Sequence, residues 1–246
     1  MARIQIIDEG IELKSPTLIE GLPGAGLVGK IAADHLVDEF DMAYYGALLC
    51  EGLPRVAVYG GDSPDLLPPV RLYADETRDL VVLQSDVPVS PKQATEFASC
   101  VTGWIDTSDA FPLYISGLAE EKADVPKLYG VATGDGRPML DEAEIDPPNG
   151  GGLVSGPTGA LLHRAVETGL DSVGLIAQTD PRFPDPEAAR VVLEDGIAPI
   201  AGIDVNTDRL VEQADEIQAA REQLAKRLQD MDRDESTQAQ PIRGFQ

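Results

Sequence analysis

The stretch IEGLPGAGLVGKIAADHL, residues 19–36, has the residue types and spacing of two phosphate-binding motifs. Gly24, Gly26 and Gly29 match the dinucleotide-binding fingerprint, in which backbone N–H groups at a helix N-terminus hold a pyrophosphate. The same stretch, up to Lys30, matches all but the last position of the triphosphate-binding loop. As a third interpretation, the glycines only let a strand turn sharply into a helix that lies close to a sheet.

The neighbouring residues weaken both phosphate-binding interpretations. A triphosphate-binding loop requires Ser or Thr after its lysine to place a hydroxyl on magnesium, and this position is Ile31. Glu51 follows about 20 residues later, where a ribose-binding acid would stand. However, Pro23 stiffens the turn, and the next strands predict a hairpin instead of a second parallel βαβ unit. We therefore expect no cofactor, and an enzyme that binds a nucleotide or phosphorylated ligand through residues 24–30 is the alternative hypothesis.

The histidines and cysteines do not form a recognisable reactive site. His35 and His163 lack neighbours at metal-ligand spacing, so we predict no metal site and two half-buried helix residues. Cys50 and Cys100 end apolar segments, which predicts small buried side chains in a reducing compartment. Because no nucleophile, base and orienting group come together, we predict no catalytic residues and a protein that is not an enzyme.

A second glycine turn precedes a predicted helix in the segment Ser155-Gly156-Pro157-Thr158-Gly159. Backbone N–H groups at such a helix N-terminus can hold an anion. The preferred interpretation is that Thr158 caps the helix.

Apolar runs alternate with helical patterns along the chain, which predicts an α/β fold with helices packed on a central mixed sheet. The predicted strands cover residues 17–21, 41–50, 55–59, 70–73, 79–85, 112–116, 127–133 and 173–178. The predicted helices cover residues 25–40, 90–105, 138–145, 156–169 and 184–194, and Ser90 is the expected N-cap of the second. We divide the chain into an α/β core domain (1–206), a C-terminal helix (207–231) and a flexible tail (232–246).

The predicted long C-terminal helix has a heptad-like apolar stripe. Residues 208–231 contain no glycine or proline, and the stripe consists of Leu210, Ala214, Ile217, Leu224, Leu228 and Met231. Such a helix either packs back on its own domain or pairs with another subunit, and the pattern favours neither. The third hypothesis for the whole chain is therefore an oligomeric scaffold built by this helix.

The chain is strongly acidic, with 43 Asp and Glu against 19 Lys and Arg and a formal net charge of −24. Nucleic acid and anionic membranes are therefore unsuitable partners, because a polyanion is repelled instead of releasing counterions. Acidic residues spread along the whole chain are typical of proteins from a halophile's cytosol, and an acidic mesophilic protein is the alternative. The first ten residues lack a signal-peptide pattern and no apolar stretch is long enough to span a bilayer, so we predict a soluble, cytoplasmic protein.

Five segments, in this order, resemble the archaeal members of the proteasome assembly chaperone family, which are similar to a eukaryotic proteasome assembling chaperone. They are GLPGAGLVGKIAADHL, LVVLQSDVPVS, YGVATG, VSGPTGALL and PDPEAA, and their signature residues are Gly24, Gly26, Gly29, Gly156, Thr158 and Gly159. The resemblance implies a nucleoside-phosphorylase-like core, a helical C-terminal extension and homo-oligomers. It also implies an ATP-independent, non-catalytic role in binding proteasome α-subunits or the α-ring.

The resemblance further implies docking through a C-terminal tail that ends in a hydrophobic residue, Tyr and any residue. This chain ends Ile242-Arg243-Gly244-Phe245-Gln246. Phe245 supplies the penultimate aromatic ring, and the terminal carboxylate of Gln246 can pair with a pocket lysine. The tail departs from the pattern because Phe replaces Tyr and Gly244 replaces a hydrophobic residue.

We therefore predict that Ile242, Arg243, Phe245 and Gln246 bind the partner. The alternative is a frayed tail with a chance aromatic residue. A chaperone of assembly and an adaptor of the mature particle would use the same tail, and the pattern leaves this choice open. It also leaves open the subunit count and the need for a paralogue.

We predict that the unfolding midpoint rises as salt is added. At about 1 M salt the Debye length falls to roughly 3 Å, which screens the repulsion among the carboxylates. Thermal unfolding of the full chain over a salt series measures this effect. A midpoint that does not fall when salt is removed would contradict the halophilic interpretation.

Overall fold

The computed structural model describes residues 3–50, 53–59, 64–120 and 125–214. Glu51, the larger part of the predicted C-terminal helix and the predicted partner-binding residues 242–246 lie outside these ranges. No helix in the described part of the chain has both the length and the apolar character needed to cross a bilayer.

Eight strands form one mixed sheet in the order β1-β3-β4-β5-β2-β6-β8-β7. Their bounds are β1 Arg3–Ile6, β2 Thr17–Gly21, β3 Ala43–Leu49, β4 Val70–Asp75, β5 Leu80–Ser85, β6 Phe111–Ala119, β7 Leu128–Thr133 and β8 Ser172–Thr179. The central strands β5, β2, β6 and β8 are parallel, and the outer strands pair antiparallel. β5 and β8 are buried along their whole length, as expected for strands covered on both faces.

Helices cover both faces of this sheet. They are α1 Val28–Glu39, α2 Ala94–Ser108, α3 Gly136–Glu142, α4 Gly156–Thr168, α5 Pro186–Val191 and α6 Ala198–Ala201, and a π-helical turn Val192–Ile197 joins α5 to α6. Alternation along β2 divides the core, because Ile19 packs in the cluster with α1 and α5 while Leu18 packs in the cluster with α2 and α4. The predicted α/β fold with helices on a mixed sheet is confirmed.

The strands of the structure differ from the predicted ones at two places. β1 was not predicted, and its four residues form a strand only because they pair antiparallel with β3 at the edge of the sheet. The strand predicted at residues 55–59 is wrong. The only ladder contact described there is one antiparallel bridge between Val58 and Leu67.

Three predicted helices begin later than expected. α1 starts at Val28, because residues 25–27 form a 3₁₀ turn. α2 starts at Ala94, because residues 91–93 form a turn and Ser90 Oγ bonds to Gln93 Oε1 at 2.7 Å instead of capping the helix. α5 starts at Pro186 and is capped by Asp185, whose carboxylate accepts a hydrogen bond from the Ala188 N–H.

The described start of the predicted C-terminal helix packs on the core domain. Residues 208–214 are helical, and Leu210 is buried in the same cluster as α1. His35 on α1 donates from Nε2 to the carbonyl oxygen of Asn206 at 2.6 Å, which fixes the chain just before this helix. The division at residues 206 and 231 stays a prediction.

Candidate functional site

The glycine turn after β2 is held in place by direct contact with the end of β8. Gly26 has a φ of 63°, and a Cβ atom on it would lie 2.0 Å from Thr179 Oγ1. The carbonyl oxygen of Gly26 accepts a hydrogen bond from the Asp185 N–H at 2.9 Å, and Thr179 Oγ1 donates to Asp185 Oδ2 at 2.9 Å. We call this group, together with Gly117 of β6, the glycine junction.

The glycine junction also brings β6 and α1 close to the turn. A Cβ atom on Gly117 would lie 2.4 Å from the carbonyl oxygen of Ala25, and one on Gly21 would lie 2.1 Å from Ala33 Cβ of α1. Gly24 is different, because a Cβ atom there would meet nothing within 4 Å. The turn therefore lies directly on the carboxyl ends of β6 and β8, where a phosphate would bind in a dinucleotide-binding fold.

Lys30 is engaged by carboxylates and does not face a phosphate site. Its Nζ lies 2.8 Å from Asp34 Oδ2 and 3.4 Å from Asp86 Oδ1. Asp86 also pairs with the buried Arg71 at 2.7 Å, and Gln84 Nε2 donates to Asp34 Oδ1 at 2.6 Å. Both cations, Lys30 and Arg71, are therefore neutralised within this network.

Glu20 is a fully buried carboxyl group on β2, just before the glycine turn. Its Oε2 accepts from the Ile115 N–H at 3.0 Å, and Thr158 Oγ1 donates to its Oε1 at 3.1 Å. Burial raises the pKa of Glu20 to about 8, and hydrogen bonds from Ile115, Thr158 and Leu22 offset only part of that shift. Glu20 therefore carries a proton at neutral pH and joins β2, β6 and α4.

The second glycine turn, residues 155–159, is joined to β2 and the first turn through the carboxyl group of Glu20. The predicted capping role of Thr158 is wrong, because Ser155 is the N-cap and Thr158 lies inside α4 with its hydroxyl on Glu20. Gly159 is needed for close packing, since a Cβ atom there would lie 2.2 Å from the Val154 carbonyl oxygen. Gly156 has a φ of 70° with open space around it. Glu20 belongs to none of the sequence motifs, although a single acid in the apolar strand TLIEG is a visible signal of a buried polar group.

A cavity of about 380 Å³ lies beside β6 and β7, under the loop of residues 148–154. Its lining is largely apolar and includes Tyr129, Val131 and Ile176, and Leu153 at its edge is 86% exposed. Glu120 also lines the cavity and accepts a hydrogen bond from Gln178 Nε2 at 3.0 Å. Among the described residues that line it there is no histidine or cysteine.

The remaining predicted polar residues lie apart from one another. His163 on α4 is exposed and lies 3.6 Å from Glu167, whereas His35 is buried against Asn206. Within the described ranges, no group of three or more His, Cys, Asp or Glu side chains is arranged to hold a metal ion.

The PAC2 family model matches residues 18–225, which include both glycine turns and Glu20. The chain belongs to the PAC2 family. It is 29% identical over 219 residues to an uncharacterized protein of Methanocaldococcus jannaschii, with 87% of each chain covered. A second uncharacterized protein of that organism is 28% identical over 225 residues, which cover 89% of this chain and 86% of the relative.

Solved structures of similar chains share the PAC2 fold seen here. Pyrococcus furiosus PbaA, described as an archaeal homolog of proteasome-assembly chaperone, superposes with a TM-score of 0.78 at 24% identity and covers 96% of this chain and 97% of its own. PbaB of the same organism, described as an archaeal proteasome activator, gives a TM-score of 0.75 at 22% identity and covers 91% and 98%. At these identities the likeness shows the fold.

We predict that Gly26→Ala destabilises the protein by several kcal/mol, because the new Cβ atom meets Thr179 and the residue must adopt a positive φ. Gly24→Ala in the same turn is the matched control and should change the free energy of unfolding by less than about 1 kcal/mol. Urea unfolding of the purified variants measures both. Equal effects at the two positions would show that the turn does not depend on the contact at Gly26.

We predict that Glu20→Gln flattens the pH dependence of stability. The folded pKa of about 8 exceeds the ordinary 4.5, so the stabilisation from this proton is complete below pH 4.5 and is lost as the pH rises through about 8. Within that window, the variant should gain on the wild type by about 1.4 kcal/mol per pH unit. Denaturant unfolding across the window, with the exposed Glu167→Gln as control, measures the difference. Parallel curves for wild type and Glu20→Gln would contradict the buried, protonated acid.

Proposed function

We propose that this chain is an ATP-independent, non-enzymatic assembly chaperone or adaptor that binds α-subunits or the α-ring of the proteasome core particle. The observation that carries the proposal is the PAC2 family match over residues 18–225. The descriptions of PbaA and PbaB support it, since both proteins are named for proteasome assembly or activation.

The site geometry favours this function over the nucleotide-binding alternative. The glycine turn rests on the ends of β6 and β8, and Lys30 is paired with Asp34 and Asp86. A triphosphate would have to displace these carboxylates and also overcome the repulsion of a chain with a net charge of −24. Close packing accounts for the glycine at position 26, whereas Gly24 has open space around it.

In our proposal, the partner is recognised by the end of the chain. Ile242, Arg243, Phe245 and Gln246 occupy a pocket between α-subunits, where the terminal carboxylate pairs with a lysine. The helix of residues 207–231 pairs subunits into a homo-oligomer, and the tail of residues 232–246 extends from it. Several tails on one oligomer raise the effective concentration, so that weak single contacts are sufficient.

The proposal extends to the core domain and its cellular setting. We propose that residues 1–206 form a nucleoside-phosphorylase-like core that serves as a rigid platform, in the cytosol of a halophile. The excess of acidic residues supports this setting, because it keeps a protein soluble when salt screens its charges.

We expect recombinant α-subunits to be captured by the full chain at high salt in pull-down and native mass spectrometry. Phe245→Ala, or deletion of residues 244–246, should weaken capture at least about tenfold, because an aromatic anchor is typically worth more than 1.4 kcal/mol. Gln238→Ala in the same tail is the matched control and should leave capture unchanged.

The two parts of the proposal fail separately. If the full chain captures neither free α-subunits nor α-rings, the proposed function is wrong. If capture is unaffected by the deletion while the full chain binds, only the role of the tail is wrong.

A further inference from the structure

Three neighbouring strands carry a row of side chains on the face of the sheet that α4 covers. The register places Ser116 of β6 beside Ile176 of β8, and Ile176 beside Tyr129 of β7. Gly174 lies two residues before Ile176 and therefore on the same face. A Cβ atom on Gly174 would lie 3.2 Å from Leu162 Cδ2, so α4 packs directly on the sheet at that point. The row of three side chains is the next one toward the carboxyl ends of β6 and β8.

This row is covered by a loop that has no side chains at its centre. Residues 148–154 line the cavity of about 380 Å³ together with the row, and residues 150–152 of the loop are three consecutive glycines. A Cβ atom at any of these glycines would meet nothing within 4 Å, so the loop is not tightly packed there. The volume lies within the range of small-molecule sites, about 300–1,000 Å³, and the lining is largely apolar, as is usual for such sites.

Glu120 is the only charged residue among the described residues that line the cavity. Its Oε2 accepts a hydrogen bond from Gln178 Nε2 at 3.0 Å, and Gln178 Oε1 accepts one from the Lys127 N–H at 3.1 Å. Gln178 follows Ile176 by two residues, so it extends from the same face of β8. The exposed Glu120 carboxylate is therefore held beside the apolar row by the ends of β7 and β8.

Further negative charge lies along the outer edge of β7. The carbonyl oxygen of Asp146 accepts a hydrogen bond from the Gly130 N–H at 2.9 Å, which holds the end of the segment 141–146 against this strand. The segment reads DEAEID and contains no basic residue. Its four acidic residues are exposed: Asp141, Glu142, Glu144 and Asp146. On a chain with a net charge of −24, these carboxylates attract a cation and repel an anion.

We propose that this cavity binds a small organic cation, in which a primary ammonium group is attached to an aromatic ring or a branched alkyl chain. The apolar body of the ligand lies on Ile176 and Tyr129, and the ammonium group donates a charge-assisted hydrogen bond to Glu120. The exposed Leu153 at the edge of the cavity packs on the outer side of the ligand. Backbone N–H groups of the glycine loop could attract an anion instead, so an anionic probe is the decisive comparison.

The test titrates the full chain with phenethylamine, 2-phenylethanol and phenylacetate, which share an aromatic ring and differ in charge. Binding is followed by NMR of methyl-labelled protein, at the lowest salt concentration that keeps the chain folded. The methyl signals of Val131, Leu153 and Ile176 should shift, and phenylacetate should bind most weakly. Phenethylamine should bind about three- to fivefold more tightly than 2-phenylethanol, as is typical of an ion pair with a partly exposed carboxylate.

Two variants separate the role of Glu120 from that of the overall charge. Glu120→Gln should abolish the preference for the amine over the alcohol. Glu142→Gln is the matched control, because it removes the same charge from an exposed position on α3 that does not line the cavity. This variant should keep the preference of the wild type.

Three outcomes would overturn the proposal. The first is the absence of phenethylamine binding at millimolar concentration, or shifts that lie outside the cavity. The second is an alcohol or phenylacetate that binds as tightly as the amine. The third is an equal loss of the preference in Glu120→Gln and Glu142→Gln, since this would assign it to the net charge of the chain. None of these results depends on binding to α-subunits, so this inference and the proposed function fail independently.

Discussion

The glycine turn after β2 packs against the ends of β6 and β8 at a distance that leaves no room for a side chain at Gly26. β2 lies between β5 and β6 in the middle of the sheet, so the turn that follows it decides which face α1 covers. The left-handed conformation of Gly26 turns the chain at once into α1, and the small residues Gly21 and Ala33 let that helix lie on the sheet. The same contact anchors Asp185 and therefore the start of α5, which packs on the same face as α1.

A buried acid on β2 completes this arrangement from the opposite face. The pairing of β2 with β6 ends at Glu20 and Tyr114, because β2 then enters the glycine turn. The N–H of Ile115 lies just past that pairing, and the Glu20 carboxyl group accepts its hydrogen bond in place of a strand neighbour. The hydroxyl of Thr158 binds the same carboxyl group and so fixes the first turn of α4. A neutral carboxyl group can occupy this buried position, whereas a charged one would be strongly disfavoured.

The sequence predicts those parts of the fold that depend on local patterns. β5 is predicted by its continuous apolar run, and α1 by apolar residues on one helix face. In both cases the pattern of apolar residues follows directly from which faces are buried. The match to the PAC2 family model confirms the family resemblance of the five ordered segments. β1 has no local signal, since it forms by pairing with β3, which is distant in the chain. For Ser90 and Thr158 the local signal is present but misleading. Their hydroxyl groups could cap a helix, but they donate hydrogen bonds to the side chains of Gln93 and Glu20 instead.

The same spacing of glycines arises in phosphate-binding folds and here because both must turn a parallel strand sharply into a helix. The two kinds of fold differ in what lies next to the turn. In a phosphate site, the strand ends beyond the turn remain open and a lysine is free to meet the anion. Here Gly117 and Thr179 pack directly against the turn, and Lys30 forms ion pairs with Asp34 and Asp86. A turn arranged in this way holds β2, β6, β8 and α1 together and leaves no lysine unpaired at its start.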